Sequence, residues 1–213
     1  MPHYLLFHKP YDVLTQFTDG EGRQTLGDYI DVPGVYAAGR LDRNSEGLLL
    51  LSDDGEILHR VTHPRWKLPK VYLAQIEGIP SEADLQKLRE GVVIKGEKTA
   101  PAQVELLDYE PNVPPRAVRQ YHPTPWLRIV LKEGKKRQIR RMTAAVGYPT
   151  LRLVRVAIGP LTLGKLQPGQ WRELTENERR NLFRALGLDP DKPTRTGPGT
   201  PRPRRKGKRR PRK

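Results

Sequence analysis

Four consecutive leucines at residues 48–51 place the strongest constraint on the fold of this chain. A continuous apolar run of this length, without alternation, is typical of a strand that is buried on both faces. Turn-forming residues bound it on both sides, because GRLDRNSEG precedes it and SDDG follows it. The fold must therefore cover two faces of a sheet, and a chain of 213 residues can bury a core of that size.

Shorter patterns predict further strands and helices around this central strand. Strands are predicted at residues 3–9, 35–38, 71–76, 104–109, 127–131 and 151–158, and helices at 56–62, 81–90, 137–146 and 175–186. Ser81 with Asp84, and Thr175 with Glu178, have the spacing of a helix capping box. Because the order has no regular βαβ rhythm, we predict an α+β fold with a mixed, mainly antiparallel sheet flanked by helices.

Positive charge is concentrated at the C-terminal end of the chain. Residues 191–213 contain eleven Lys or Arg and one acidic residue, whereas the formal charge of the whole chain is +15. This segment is rich in Pro and Gly and has no apolar residue, which predicts a disordered polycation that binds phosphate backbones; a solubilising tail is the alternative. We predict a folded domain over 1–188 and a disordered basic tail over 189–213.

Several classes of protein are not supported by the sequence. There is no cysteine, hence no disulfide framework, and no apolar stretch long enough for a signal peptide or membrane span. The predicted location is the cytoplasm. The glycines match neither the dinucleotide nor the P-loop pattern. His59 and His63 have a spacing that can share a metal, but without an evident third ligand they are predicted to be surface or capping residues.

A partial calcium-loop pattern begins at Asp42. Asn44, Glu46 and Asp53 fall at its third, fifth and twelfth positions. Bulky leucines fill the second half of that pattern, however, and arginines flank the first ligand, so a cation is disfavoured there. We predict that no metal is bound.

Asp42 then has two interpretations. It either orders a turn by pairing with Arg40 or Arg43, or it is a functional carboxylate kept ionised by cationic neighbours and available as a nucleophile or base. The local sequence leaves both open.

Two other stretches favour an RNA-binding protein. Lys70 and Tyr72 are two positions apart on a predicted strand, so an amine and a stacking ring share one face. Around the start of the helix at 137–146, the sequence EGKKRQIRRM has five cations within seven positions, while Ile139 and Met142 turn inward. An ordinary sheet aromatic and a solvated helix face are the alternatives.

Together these motifs resemble the pseudouridine synthases, in particular the RsuA branch that acts on ribosomal RNA. The resemblance rests on GRLDRNSEGLLLLSDDG at 39–55, KVY at 70–72 and QIRRM at 138–142. HKPYDVLTQF at 8–17 is similar to the N-terminal NKP motif, with His8 in place of Asn, and residues 153–174 are similar to the closing strand region. The resemblance implies the pseudouridine synthase catalytic fold over 1–188, with a cleft across the sheet and without the small N-terminal S4 domain of many members.

The resemblance also implies a function. The chain is expected to isomerise uridine to pseudouridine in ribosomal RNA, specifically 23S, without cofactor or metal. Asp42 is expected to be the catalytic carboxylate, attacking C6 or C1′ or abstracting a sugar proton. Arg140 is expected to pair with Asp42, and Tyr72 to stack on the uracil.

The remaining predicted site residues bind RNA. Arg40 is expected to brace the space that the extruded base leaves. The full set of predicted RNA-binding residues is Arg40, Arg43, Lys70, Arg137, Gln138 and Arg141. The predicted partner is ribosomal RNA, bound by a monomer without a membrane or metal. The alternative function is a non-catalytic, rRNA-binding ribosome-assembly factor.

Overall fold

The secondary structure follows the predicted apolar segments closely. The protein is described here from a computed structural model, over residues 2–66, 68–119 and 121–192. The strands are β1 (Tyr4–Lys9), β2 (Tyr36–Ala37), β3 (Glu46–Ser52), β4 (Lys70–Ile76), β5 (Val93–Ile94), β6 (Glu97–Lys98), β7 (Gln103–Leu106), β8 (Trp126–Leu131), β9 (Thr150–Ile158), β10 (Leu161–Thr162) and β11 (Trp171–Glu173). The helices are α1 (Gly55–Thr62), α2 (Glu82–Glu90), α3 (Gln138–Ala145) and α4 (Glu176–Ala185), with 3-10 turns at Leu26–Asp28 and Pro64–Trp66.

One mixed sheet forms the centre of the fold. Its strand order is β11-β1-β3-β9-β4-β8-β7, with β10 paired to β9 and β2 paired to β3. The β3 and β9 strands run parallel, and the other pairs of this sheet are antiparallel. A separate hairpin joins β5 to β6. The predicted α+β class with a mixed, mainly antiparallel sheet is confirmed.

The four leucines occupy β3, and none of them has measurable solvent exposure. Leu48 and Leu50 pack on the face covered by α1 and α4, whereas Leu49 and Leu51 pack with Leu26, Ile30 and Val35 on the opposite face. The prediction that this strand is covered on both sides is therefore confirmed. Burial of apolar surface contributes about 25 cal/mol per Å² to stability, so these four side chains fix β3 in the core. The loop that precedes β3 is thereby fixed at its C-terminal end.

The helix caps are those that the sequence indicates. Ser81 and Thr175 each accept from the backbone N–H three residues later, and the carboxylates of Asp84 and Glu178 accept from the cap residues in return. Asp54 caps α1 by accepting from the N–H groups of the next helical turn. No helix among the described residues is both long enough and apolar enough to span a bilayer.

Gly47 allows β3 to approach β9 closely. Its φ is +104°, and a Cβ atom there would lie 2.2 Å from the carbonyl oxygen of Arg155. Only glycine combines this backbone conformation with such a contact. The pairing of Gly47 with Arg155 brings β9 beside the chain segment that contains Asp42.

Residues 189–192 return to α4 at the end of the described part of the chain. The carbonyl of Pro190 accepts from Arg179 Nη1 at 3.0 Å, and Asp191 forms an ion pair with Arg180 at 2.7 Å. The predicted disordered segment 189–213 thus begins with residues that contact α4 through Pro190 and Asp191, and residues 193–213 lie outside the described residues.

Candidate active site

A cavity of about 710 Å³ brings together most of the predicted site residues. Its walls come from the loop before β3, the end of α1, the strands β4 and β9, and the segment that leads into α3. The predicted residues that line it are Arg40, Asp42, Arg43, Lys70, Tyr72, Arg137 and Gln138. Residues separated by almost one hundred positions therefore share one site.

The loop at residues 41–45 holds Asp42 at the cavity wall. The Thr15 hydroxyl donates to the Leu41 carbonyl at 2.7 Å, and the Ser45 N–H donates to the Asp42 carbonyl at 2.9 Å. The side chain of Asp42 is 33% exposed. The carboxylate is thus fixed by backbone contacts while remaining accessible to a ligand.

A buried lysine lies beneath this loop. Lys9 has no measurable solvent exposure, and its Nζ donates to the carbonyls of Pro10, Val13 and Arg43 at 2.8, 2.7 and 3.2 Å. Burial lowers its pKa to about 8, while the carboxylates of Glu46, Asp12 and Asp42 oppose that change. Lys9 belongs to the HKP sequence, but the pattern alone did not indicate that its amine ties β1 to the Asp42 loop.

Arg43 is paired with Asp12. Its Nε lies 2.6 Å from Asp12 Oδ1, and its Nη2 donates to Oδ2 at 2.9 Å. This contact lowers the pKa of Asp12. Of the two arginines that flank Asp42, Arg43 is therefore engaged by another carboxylate, whereas Arg40 is exposed at the cavity. The ion pair between Asp42 and Arg43 that one interpretation required is therefore wrong, although the Asp42 carbonyl does accept from Ser45 in a turn.

The direct partner of Asp42 is Arg137 rather than Arg140. Arg137 Nη1 lies 3.7 Å from Asp42 Oδ2 and donates to Asn44 Oδ1 at 3.1 Å. Arg140 instead donates to the carbonyls of Asn44 and Thr150, at 2.7 and 2.9 Å. Arg137 immediately precedes α3 and has a left-handed backbone conformation, with φ of +53°.

Arg140 nevertheless remains electrostatically linked to the site. Burial and the charge of Arg137 lower its pKa, and the charge of Asp42 opposes this. Its Nε is buried without a hydrogen-bond partner among the described residues. Arg140 therefore anchors the loop through Asn44, in place of the predicted contact with Asp42.

Two other residues of the basic helix differ from the predicted arrangement. Gln138 is buried, and its amide accepts from the Lys135 N–H at 2.9 Å and donates to Glu133 at 2.5 Å. Arg141 is not among the cavity-lining residues. The side chain of Gln138 is therefore already hydrogen-bonded within the turn before α3, and Arg141 is half-buried outside the cavity.

Tyr72 and Arg155 are cross-strand neighbours on β4 and β9, and both line the cavity. Arg155 is 3% exposed; its Nε donates to the Leu48 carbonyl at 2.8 Å, whereas its Nη2 has no hydrogen-bond partner in the described part of the chain. Lys70 also lines the cavity, and burial together with the charge of Arg155 lowers its pKa. Sequence analysis did not select Arg155, because an arginine within an apolar strand gives no local signal of its neighbours.

A buried ion cluster supports the other end of the loop. Glu46 accepts from Arg152 Nε and Nη2 at 3.0 and 2.8 Å, and from Arg116 Nε at 2.9 Å. The guanidinium of Arg116 also lies 4.3 Å from the ring centroid of Tyr11. Glu46 is therefore engaged by two arginines. No group of three metal-ligating side chains occurs in the described residues.

Comparison with known proteins was decisive for the family. The sequence pattern described as RNA pseudouridylate synthase matches residues 3–145. The chain belongs to the RNA pseudouridylate synthase family. The matched region contains Asp42, Tyr72 and Arg140, so the resemblance seen in the three motifs is confirmed. Arg155 lies beyond the matched region.

Relatives within the RNA pseudouridylate synthase family cover most of this chain. It is 56% identical over 174 residues to ribosomal large subunit pseudouridine synthase E of Vibrio parahaemolyticus, covering 80% of this chain and 73% of that protein. It is 52% identical to the protein of the same name from Xanthomonas campestris, covering 79% and 93%. A solved structure described as a pseudouridylate synthase has a TM-score of 0.74 and 30% identity, covering 85% of this chain and 74% of that one.

Proposed function

We propose that this protein isomerises uridine to pseudouridine in RNA of the large ribosomal subunit, with Asp42 as the catalytic carboxylate. The observation that carries the proposal is the accessible Asp42 carboxylate, held in a cavity that Tyr72 also lines and beside the cation of Arg137. A carboxylate oxygen that a ligand can reach is able to act as a nucleophile or a base. The names of the close relatives support ribosomal RNA of the large subunit as the substrate.

The chemistry requires one carboxylate and a means to hold a detached base. The N1–C1′ bond of uridine breaks, the uracil turns, and a C5–C1′ bond forms; the proton lost from C5 is balanced by one gained at N1. Asp42 acts on the base or the sugar, and Tyr72 stacks on the uracil from the floor of the cavity. A target uridine in folded RNA must first leave its stack, and exposed Arg40 braces the space that it vacates.

The proposal also includes the oligomeric state, the location and the domain boundaries of the protein. The protein is proposed to act as a monomer, and the ribosomal relatives support a cytoplasmic location. Residues 1–188 form the catalytic domain, and residues 189–213 supply additional positive charge.

The direct test is product formation on ribosomal RNA. Purified protein is incubated with unmodified large-subunit rRNA in the presence of EDTA, and pseudouridine is detected by carbodiimide-dependent stops in primer extension. We expect a stop at a defined uridine. RNA binding without any new stop would instead identify a non-catalytic ribosome-assembly factor.

Arg155 and Lys70 are proposed to bind an oxygen of the substrate nucleotide. Both cations lie at the cavity, and the Nη2 of Arg155 has no hydrogen-bond partner in the described residues. A hydrogen bond to a charged group contributes about 1.5–3 kcal/mol, so Arg155→Met should raise the KM for RNA about 10- to 100-fold in steady-state assays. Arg155→Lys should recover part of the loss.

The matched control for Arg155 is Arg128→Met. Arg128 lies on β8, makes a 4.0 Å contact with Glu105 and is not among the cavity-lining residues. The control should keep the KM of the unaltered protein. Equal values of KM for Arg155→Met and the unaltered protein would remove Arg155 from the substrate site.

The basic C-terminal segment is proposed to bind RNA phosphates. Residues 193–213 contain ten Lys or Arg and no acidic residue. Counterion release makes such binding steeply salt-dependent, so deletion of residues 193–213 should lower RNA affinity about tenfold at physiological salt and flatten its dependence on salt. Filter binding across a salt series measures both effects.

A variant in which residues 193–213 carry no charge tests whether the charge of the segment, rather than its length, binds RNA. Replacing its lysines and arginines by serine keeps the number of residues and removes the charge. This variant should behave like the deletion. A salt dependence unchanged by either variant would return the segment to a solubilising role.

A further inference from the structure

Three aromatic rings lie together at the end of α1 and in the 3-10 turn that follows it. The ring centroids of His59 and His63 are 5.0 Å apart and their planes are inclined by 55°. The Trp66 ring lies 5.6 Å from His59 and 5.4 Å from His63 and meets both of them edge to face, at 74° and 76°. Both histidines are exposed, whereas Trp66 is partly buried. We call these three residues the aromatic platform. Sequence analysis predicted only surface or capping roles for its two histidines.

Two of the three rings, those of His63 and Trp66, are held by neighbouring groups. The backbone N–H of Arg65 donates to His63 Nδ1 at 3.1 Å, which leaves the proton of the neutral ring on Nε2. Trp66 packs against the main core, and the guanidinium of Arg60 lies 5.0 Å from its ring centroid. Arg60 is itself fixed by Glu56 and by the Leu186 carbonyl, at 2.5 and 2.7 Å. Little conformational entropy is therefore lost when a ligand binds these rings.

The aromatic platform is continuous with the candidate active site. His63 lines the cavity that also contains Asp42, together with its chain neighbours Thr62 and Pro64. Arg40, which is exposed, lines the same cavity. A polymer whose reacting unit lies at Asp42 can therefore extend along this wall.

The chemistry of the platform fits a nucleotide. The exposed imidazole rings offer stacking surfaces, and the guanidinium of exposed Arg65 lies 5.8 Å from the Trp66 ring centroid. Aromatic rings beside a cation are the usual means of binding single-stranded RNA, because every base has a face that stacks. Glu56, the acidic group beside Arg60, is neutralised by that arginine. No metal-ligating group of three side chains includes these histidines in the part of the chain that the structure describes.

We propose that the aromatic platform binds a nucleotide adjacent to the target uridine, with its base stacked on the exposed ring of His59 and its phosphate at Arg65. This inference rests on the proposed function, since it takes RNA to be the ligand of the cavity. The end of α1 would thus form a second RNA subsite, separate from the part of the cavity that contains Asp42.

The test measures RNA binding by the full chain with single substitutions at exposed positions. Labelled large-subunit rRNA transcript is titrated with each variant over a salt series. His59→Ala should raise Kd about tenfold at each salt concentration without changing the salt slope, because stacking involves no counterion release. Arg65→Gln should reduce that slope by about one, because one phosphate contact is lost.

Tyr109→Ala is the matched control, since Tyr109 is 61% exposed and does not line the cavity. It should leave the Kd unchanged. Ultraviolet cross-linking of the unaltered protein to the transcript, followed by mass spectrometry, should identify nucleotides attached within residues 59–66.

The outcomes separate this inference from the proposed function, because pseudouridine is measured in the same reactions. If the unaltered protein forms pseudouridine but His59→Ala and Arg65→Gln both bind RNA like the unaltered protein, the subsite is refuted and the function stands. If the two substitutions weaken RNA binding but the unaltered protein forms no pseudouridine, the subsite stands and the function fails. Absence of RNA binding by the unaltered protein would overturn both.

Discussion

Asp42→Asn should abolish pseudouridine formation while preserving the fold and RNA binding. Asparagine has nearly the same size as aspartate, so the contacts that hold the loop at residues 41–45 remain. It cannot act as the nucleophile or base, however, and loss of such a group lowers turnover by about 10³-fold or more. The carboxylate is fixed mainly through its backbone neighbours, so the substitution leaves the loop in place.

The measurement is single-turnover formation of pseudouridine on large-subunit rRNA, accompanied by the Kd for the same RNA. Removing a negative charge from a basic cavity should leave RNA affinity equal or slightly higher. Asp12→Asn is a suitable control, because Asp12 pairs with Arg43 on the same loop but does not line the cavity. That variant should retain turnover within about tenfold. Full turnover by Asp42→Asn would remove Asp42 from the reaction.

Lys9→Met should change both the stability of the protein and its dependence on pH. Methionine fills a similar volume but leaves three carbonyls, one buried and two partly buried, without their donor. An unsatisfied buried acceptor costs about 1–3 kcal/mol, so the free energy of unfolding at pH 7.5 should fall by an amount of that order. Pseudouridine formation should fall as well, because one of these carbonyls belongs to Arg43, beside Asp42.

The pH dependence follows from the lowered pKa of Lys9. Its pKa is about 8 in the folded protein and 10.5 ordinarily, so both states carry the proton at low pH. Between these values the unfolded chain binds more protons than the folded protein, and the stability of the folded state rises with pH. The unaltered protein should therefore gain about 2 kcal/mol relative to Lys9→Met between pH 7.5 and pH 10.

Urea unfolding at the two pH values measures this difference. Lys165→Met, at an exposed position, is the control and should shift both values by less than about 0.5 kcal/mol. A stability difference between the unaltered protein and Lys9→Met that is the same at pH 7.5 and pH 10 would contradict the lowered pKa.

The local structure was accessible from the sequence, because it depends on neighbouring residues. The leucines of β3 and the caps at Ser81 and Thr175 each carry a short-range signal, and all three predictions are confirmed. The short β11 was not predicted, since its three residues acquire their strand conformation from pairing with β1. The β-strand propensity of three residues gives little information about whether they form a strand.

The arrangement within the site depended on tertiary contacts that the sequence does not encode locally. The motifs selected Asp42, Tyr72 and the basic segment before α3, and the structure brings residues of all three to one cavity. They did not distinguish Arg137 from Arg140 as the partner of Asp42. That choice depends on the left-handed backbone at Arg137 and on the carbonyls that Arg140 finds. Arg155 became visible only through its pairing with Tyr72.

The parallel pairing of β3 with β9 also determines when the site can form during synthesis. Glu46 and Arg152, which join the two strands, are 106 positions apart, and closing so long a loop is slow compared with forming a local hairpin. A nascent chain therefore carries β1 and β3 before the strand that completes the cavity has left the ribosome. Until β9 and β11 arrive, the outer edges of β3 and β1 lack their strand partners, and such edges favour aggregation. Assembly of the cavity that contains Asp42 is thus expected to be a late event in the folding of this protein.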